Sequence, residues 1–79
     1  MSPTVFKYKE YRFFFFSREE KRMYIHVSSQ NGEAKYWLDP DVELAQNIGF
    51  SAKQLNEVKR FIKNRKNEII HSWVNHFNS

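Results

Sequence analysis

An α+β fold is predicted: an antiparallel sheet of four or five strands, followed by one long C-terminal helix packed on one of its faces. Three observations point to it. Val, Phe and Tyr crowd residues 1–47 in short runs separated by polar stretches, as half-buried strands require. Asn31-Gly32 lies between two such runs as a hairpin turn. Beyond Gly49 the apolar residues recur at helical spacing.

The strands are expected at about 4–8, 11–17, 23–29, 33–38 and 42–47. Thr4–Tyr8 and Tyr11–Ser17 carry the β-branched and aromatic side chains that suit a pleated surface. The run from Ser17 to Arg22 is polar and reads as a loop. Two central residues that tolerate positive φ give Asn31-Gly32 the chemistry of a type I′ turn, which makes opposed residues sum to 63. Ile25 then opposes Leu38 and Val27 opposes Tyr36 on a core face. His26 opposes Trp37, Ser28 opposes Lys35 and Tyr24 opposes Asp39 on the other. Phe13-Phe14-Phe15-Phe16 places two rings on each face by alternation. Asp39-Pro40-Asp41 is a turn, because Pro40 has no N–H for a ladder. Val42 and Leu44 alternate with Glu43, which favours a fifth strand.

The helix is expected over about 52–77. Ser51 is its N-cap, Gln54 completes a capping box, and Phe50 with Leu55 form a hydrophobic staple. Leu55, Val58, Ile62, Ile69, Trp73 and Phe77 make one apolar stripe, interrupted by six polar residues from Lys63 to Glu68. A straight helix of that length would measure about 39 Å, against a width of roughly 30 Å for so small a domain. It either overhangs the sheet or bends near Asn64–Asn67. An overhang would leave Ile69, Ile70, Trp73 and Phe77 as an interface for a second copy, so a homodimer or a small cognate protein is the expected partner.

Composition narrows the function. The 79 residues form a single domain with an aromatic fraction of 18%, whose rings enlarge a thin core. With no cysteine, a disulfide scaffold, a thiolate zinc site and a cysteine nucleophile are excluded. No apolar run approaches the roughly 20 residues of a membrane span, and the first residues lack the layout of a secretion signal; a cytoplasmic protein is expected. The net charge of +4 lies wholly in residues 51–79, which suggests an anionic partner or a solvated helix face. His71 and His76, five apart, point about 140° away from each other on a helix, and no metal or cofactor is expected.

Two surfaces carry candidate nucleic-acid contacts. On the helix, Lys53, Arg60, Lys63 and His71 offer a phosphate-contacting row. On the sheet, Tyr24 and Trp37 offer rings for base stacking, with Lys35 beside them. His26, near Trp37, Lys35 and Asp39, is the candidate general base if the protein cleaves RNA. No nucleophile elbow, phosphate-cradling loop or paired carboxylate motif accompanies it, so a non-enzymatic binding protein is the leading expectation and an RNA-directed toxin the alternative.

Several blocks occur in an order that is familiar: Met1-Ser2-Pro3-Thr4-Val5, Tyr11-Arg12-Phe13-Phe14-Phe15-Phe16-Ser17, Ile25-His26-Val27, Gly32 to Leu38, and Gly49-Phe50-Ser51-Ala52. Together with Glu68 to Phe77 they resemble the small bacterial domain-of-unknown-function family 4160. The resemblance implies an antiparallel sheet followed by a helix. Such proteins are often encoded beside a second small protein, of domain-of-unknown-function family 2442, so the resemblance also implies one half of a toxin–antitoxin-like pair. Where that family commonly shows Pro-Pro-His-x-His-Val, this chain has Arg22-Met23-Tyr24-Ile25-His26-Val27. Tyr24 replaces the first histidine, so paired-histidine chemistry does not carry over. The first hairpin has Lys9-Glu10 where the family has glycines.

Overall fold

Among the described residues, five strands run as an antiparallel meander in sequence order: β1 (Thr4–Tyr8), β2 (Tyr11–Phe14), β3 (Tyr24–Ser29), β4 (Gly32–Trp37) and β5 (Glu43–Ile48). Two helices follow, α1 (Ala52–Asn64) and α2 (Lys66–Phe77). The computed structural model describes residues 4–15 and 22–77. Phe16 and most of the polar run predicted as a loop lie outside the described residues. None of the described helices is long and apolar enough to cross a membrane.

The β3–β4 hairpin departs from the predicted register by two residues. Tyr24 opposes Trp37, Ile25 opposes Tyr36, His26 opposes Lys35 and Ser29 opposes Gly32. Gln30-Asn31 is therefore the turn, and neither Asn31 nor Gly32 takes positive φ. Ser29 Oγ accepts the Asn31 N–H at 3.2 Å. Gly32 serves a different purpose: a Cβ there would lie 2.0 Å from the carbonyl oxygen of Ile48. Its missing side chain lets the end of β5 approach. An even shift leaves each side chain on its original face, so the division into core and outer faces survives the correction.

One face of the sheet is the core. Tyr11, Phe13 and Phe15 from the β2 region, Ile25 and Val27 from β3, and Ala34, Tyr36 and Leu38 from the β4 region are all buried. Val58 and Ile62 of α1 and Ile69 and Trp73 of α2 close over them. Phe61, which the predicted stripe omits, stacks on Tyr8 at 4.5 Å and on Phe13 at 4.8 Å, and meets Phe6 edge-on at 6.4 Å. The start of α1 is as predicted. Ser51 Oγ accepts the Gln54 N–H at 3.2 Å, and Gln54 Oε1 accepts the Ser51 N–H at 2.9 Å. Just upstream, Asn47 exchanges two 3.1 Å hydrogen bonds with the backbone of Phe50.

The single long helix is corrected to two. At Arg65 the backbone leaves helical geometry (φ −118°, ψ 20°), and its N–H is shared between the carbonyls of Phe61 and Ile62. Asn64 and Asn67 are weak helix formers, and no apolar side chain between Lys63 and Glu68 holds a straight path. The molecule's longest dimension, 34 Å, is also shorter than the unbroken helix would be. The break brings α2 back over its own sheet. Trp73 is 6% exposed and Ile69 fully buried, while Ile70 and Phe77 are partly buried against the same core. A homodimer held by these four residues requires them to lack a cover in their own chain. That premise does not hold.

Candidate functional site

The outer face of the sheet is built by strict alternation. With Phe13 and Phe15 committed to the core, Arg12 and Phe14 must point outward from β2. Three rows result. Phe14, His26, Lys35 and Gln46 oppose one another in turn across β2, β3, β4 and β5. Arg12, Ser28, Glu33 and Ile48 form the row on one side, and Tyr24, Trp37 and Glu43 the row on the other. A bulge at Ala45 shifts the β4–β5 register, so Leu44 opposes inward-facing Tyr36 while Gln46 opposes outward-facing Lys35.

On this face the cations lie over aromatic rings. The Arg12 guanidinium is 4.9 Å from the Phe14 centroid and that of Arg22 4.7 Å from Trp37. Lys35 Nζ lies 4.9 Å from Tyr24 and 4.6 Å from Trp37. His26 joins the set, stacked on Phe14 at 5.5 Å and edge-on to Tyr24 at 5.3 Å. Each such cation–ring contact contributes about 0.5–1 kcal/mol at an exposed site. Arg22 is also tied down, because its Nε donates to the Asp39 carbonyl at 2.7 Å. Tyr24 and Phe14 are buried, whereas Trp37, His26 and Lys35 are half-buried and Arg12 and Arg22 exposed. The result is a continuous band of alternating positive charge and planar rings.

A cleft of about 200 Å³ opens beside the band, walled by Phe14, His26 and Ile48 and edged by Glu33 and Gln46. It is smaller than the roughly 300–1,000 Å³ of sites for drug-sized ligands. A single flat ring system is the class of occupant it suits.

The predicted site residues separate onto two surfaces. Tyr24, His26, Lys35 and Trp37 do gather on the outer sheet face. Lys53, Arg60, Lys63 and His71 are exposed on the helices, which cover the opposite face of the sheet. The two sets do not form one site. Arg60 and Lys63 border a shallow groove with Asn56, Lys59 and Asn64, and no ring contributes to it. Of the four expected interface residues, Ile69 and Trp73 are core residues, and Ile70 and Phe77 are partly buried against the core.

Arg12, Arg22, Glu33 and Gln46 also belong to this face and are absent from the residues expected from the sequence. Alternation from Phe13 already places Arg12 beside Phe14, so that residue was within reach. Gln46 was not, because its face depends on the bulge.

Between β1, β2 and α1, Lys9 forms an ion pair with Glu57, and Tyr11 Oη donates to Glu57 at 3.3 Å. The Lys9 hydrogen bond holds the Glu57 carboxyl below its usual range. Burial pushes the Tyr11 phenol up, helped by the Glu57 charge. Every member of this group has a partner within the chain, so it fastens the first hairpin to α1.

No curated protein and no solved structure matches the chain. The family model for domain of unknown function DUF4160 matches residues 11–74. That span starts at the first residue of β2 and ends inside α2, taking in the cation–ring band, the cleft and most of the helical cover. The chain therefore belongs to this family of domains of unknown function.

Proposed function

We propose that the protein is a binding module that takes single-stranded RNA across the outer face of its sheet. The observation that carries the reading is the gathering of Arg12, Arg22 and Lys35 around the half-buried rings of Trp37 and His26, with the buried rings of Phe14 and Tyr24 packed beneath them as a floor. Unpaired bases offer planar faces and their backbone a regular negative charge, and a band of rings and cations meets both. On the helix side the groove along Lys59, Arg60 and Lys63 is lined by polar residues, while Arg60 also borders Tyr8 and Phe61 and His71 borders Phe6, so rings and cations are more scattered there than on the sheet face. His26, set between Phe14 and Tyr24, fits a stacking role in this reading.

The test is fluorescence anisotropy with a labelled oligouridine. Affinity is expected to fall steeply with salt, as counterion release requires. Trp37→Ala and Lys35→Glu should each weaken binding by about tenfold or more. Reversing Lys53, Arg60 and Lys63 together should change it by no more than about twofold. Absence of binding at low salt, or loss of binding in the helix variant alone, would overturn the reading. Cleavage of the RNA, lost in His26→Ala, would move the protein to the ribonuclease alternative.

A second reading, one half of a toxin–antitoxin-like pair working through a protein interface, draws support from β5. Among the described strands it pairs with β4 alone, and all six of its residues are exposed, Leu44 at 44% and Ile48 at 56%. An open strand edge with apolar side chains is a template for a partner's strand. Co-expression with a neighbouring small protein should yield a one-to-one complex that Leu44→Lys disrupts. Separate elution of the two proteins would remove this reading.

A further inference from the structure

The cleft beside His26 holds a group that the cation–ring band does not need. Glu33 is an exposed acid on a face that gathers cations, directly across β3–β4 from Ser28 and across β4–β5 from Ile48. Beside a phosphate backbone its charge is unfavourable unless it meets a donor. An ionised carboxylate only accepts hydrogen bonds, and it has two oxygens side by side. The complementary edge is one with two adjacent N–H donors. Among the four RNA bases guanine alone has this, in N1–H and the N2 amino group. Adenine and cytosine set a donor beside an acceptor, and uracil sets one donor between two carbonyls.

The rest of the cleft agrees with a base as occupant. Phe14 and His26, stacked on each other 17° apart, line the cleft together with apolar Ile48. Gln46, a diagonal neighbour of Glu33 across β4–β5, carries an amide that can donate to the guanine O6. We propose that this cleft is a base-reading subsite for one unpaired guanine, with Glu33 accepting from N1–H and N2–H and Gln46 donating to O6. The proposal rests on the reading of the outer sheet face as a single-stranded RNA site, and adds sequence preference to it.

Four labelled heptamers test it with the full chain: UUUGUUU, UUUAUUU, UUUCUUU and all-uridine. The guanine heptamer should bind about tenfold or more tightly than the other three, as one bidentate base contact provides. Glu33→Gln and Glu33→Ala should both bring its affinity to within about twofold of the rest, while all-uridine binds as well as before or better. Far-UV circular dichroism should show both variants folded, since the side chain is exposed. Equal binding of all four heptamers by the unaltered protein overturns the subsite and leaves the sheet-face reading standing. So does a guanine preference that survives both variants. Failure to bind any heptamer overturns the sheet-face reading, and the subsite falls with it.

Discussion

Gly32 and Gly49 stand against each other at one end of the sheet. A Cβ on Gly32 would meet the Ile48 carbonyl oxygen at 2.0 Å and the Gly49 Cα at 3.0 Å; one on Gly49 would meet the Asn31 carbonyl oxygen at 2.3 Å and the Gly32 Cα at 3.2 Å. Gly49 also has φ of +94°, a conformation that costs other residues. All the close atoms are backbone and cannot swing away. Gly32→Ala is therefore expected to destabilise the protein by about 1–3 kcal/mol through overpacking, and Gly49→Ala by more, since strain adds to the clash. Urea unfolding midpoints would check both, and an unchanged midpoint for either would contradict the close approach.

The capping box gives a second expectation. Ser51→Ala leaves a first-turn N–H without its acceptor and should cost about 1 kcal/mol. Gln54→Ala, which removes only the reciprocal bond to the Ser51 N–H, should cost less. Thermal unfolding of the two variants separates the halves of the motif.

Alkaline pH should unfold the protein through Tyr36. Its hydroxyl donates to the Leu55 carbonyl at 2.8 Å inside the core, and burial pushes its pKa from 10.0 up to about 12. The unfolded chain ionises first, so the stabilisation is complete below pH 10 and is lost as pH rises toward 12. Tyr36→Phe should flatten that part of the stability profile, at a cost of about 1 kcal/mol near neutral pH for the lost hydrogen bond. Absorbance titration at 295 nm would show one late-ionising phenol disappear in the variant.

Trp73→Ala should destabilise the chain by about 3–5 kcal/mol, the cost of emptying a buried aromatic site. Because Trp73 is covered by its own chain, against the core and Phe77 at 4.7 Å, the unfolding midpoint of the unaltered protein should not depend on its concentration. A midpoint that rises with concentration would return this residue to an interface between chains.

Much of this architecture was legible because the sequence marks it locally. The capping box, the core alternation of Ile25 and Val27, and the polar interval around Arg65 all act within one or two turns of chain. What was not legible depends on approach from a distance. Asn31-Gly32 has the chemistry of a turn, yet Gly32 is needed where β5 arrives, and no neighbouring residue of β4 announces that. The same holds for the candidate site. Tyr24, His26, Lys35 and Trp37 share a face in the predicted register and in the observed one, because the two differ by an even number of residues. Placing Gln46 beside Glu33 requires knowing that Ala45 bulges, and placing Arg22 over Trp37 requires the Asp39 carbonyl that anchors it.

The meander also predicts an order of events in folding. Each strand pairs with its neighbour in sequence, so the ladders close only short loops, which cost little entropy and form quickly. The helix contacts are the distant ones: Phe61 reaches Phe6 and Tyr8, and Glu57 reaches Lys9, 48 positions away. Until α1 docks, Phe13, Ile25, Val27 and Tyr36 have no cover, and a sheet in that condition is prone to stick to others of its kind. Contacts of Phe61 with the first hairpin are thus the latch of the fold. Phe61→Ala should speed unfolding far more than it slows refolding, and should raise aggregation during refolding, while the outer face with its rings and cations is laid out before the latch closes.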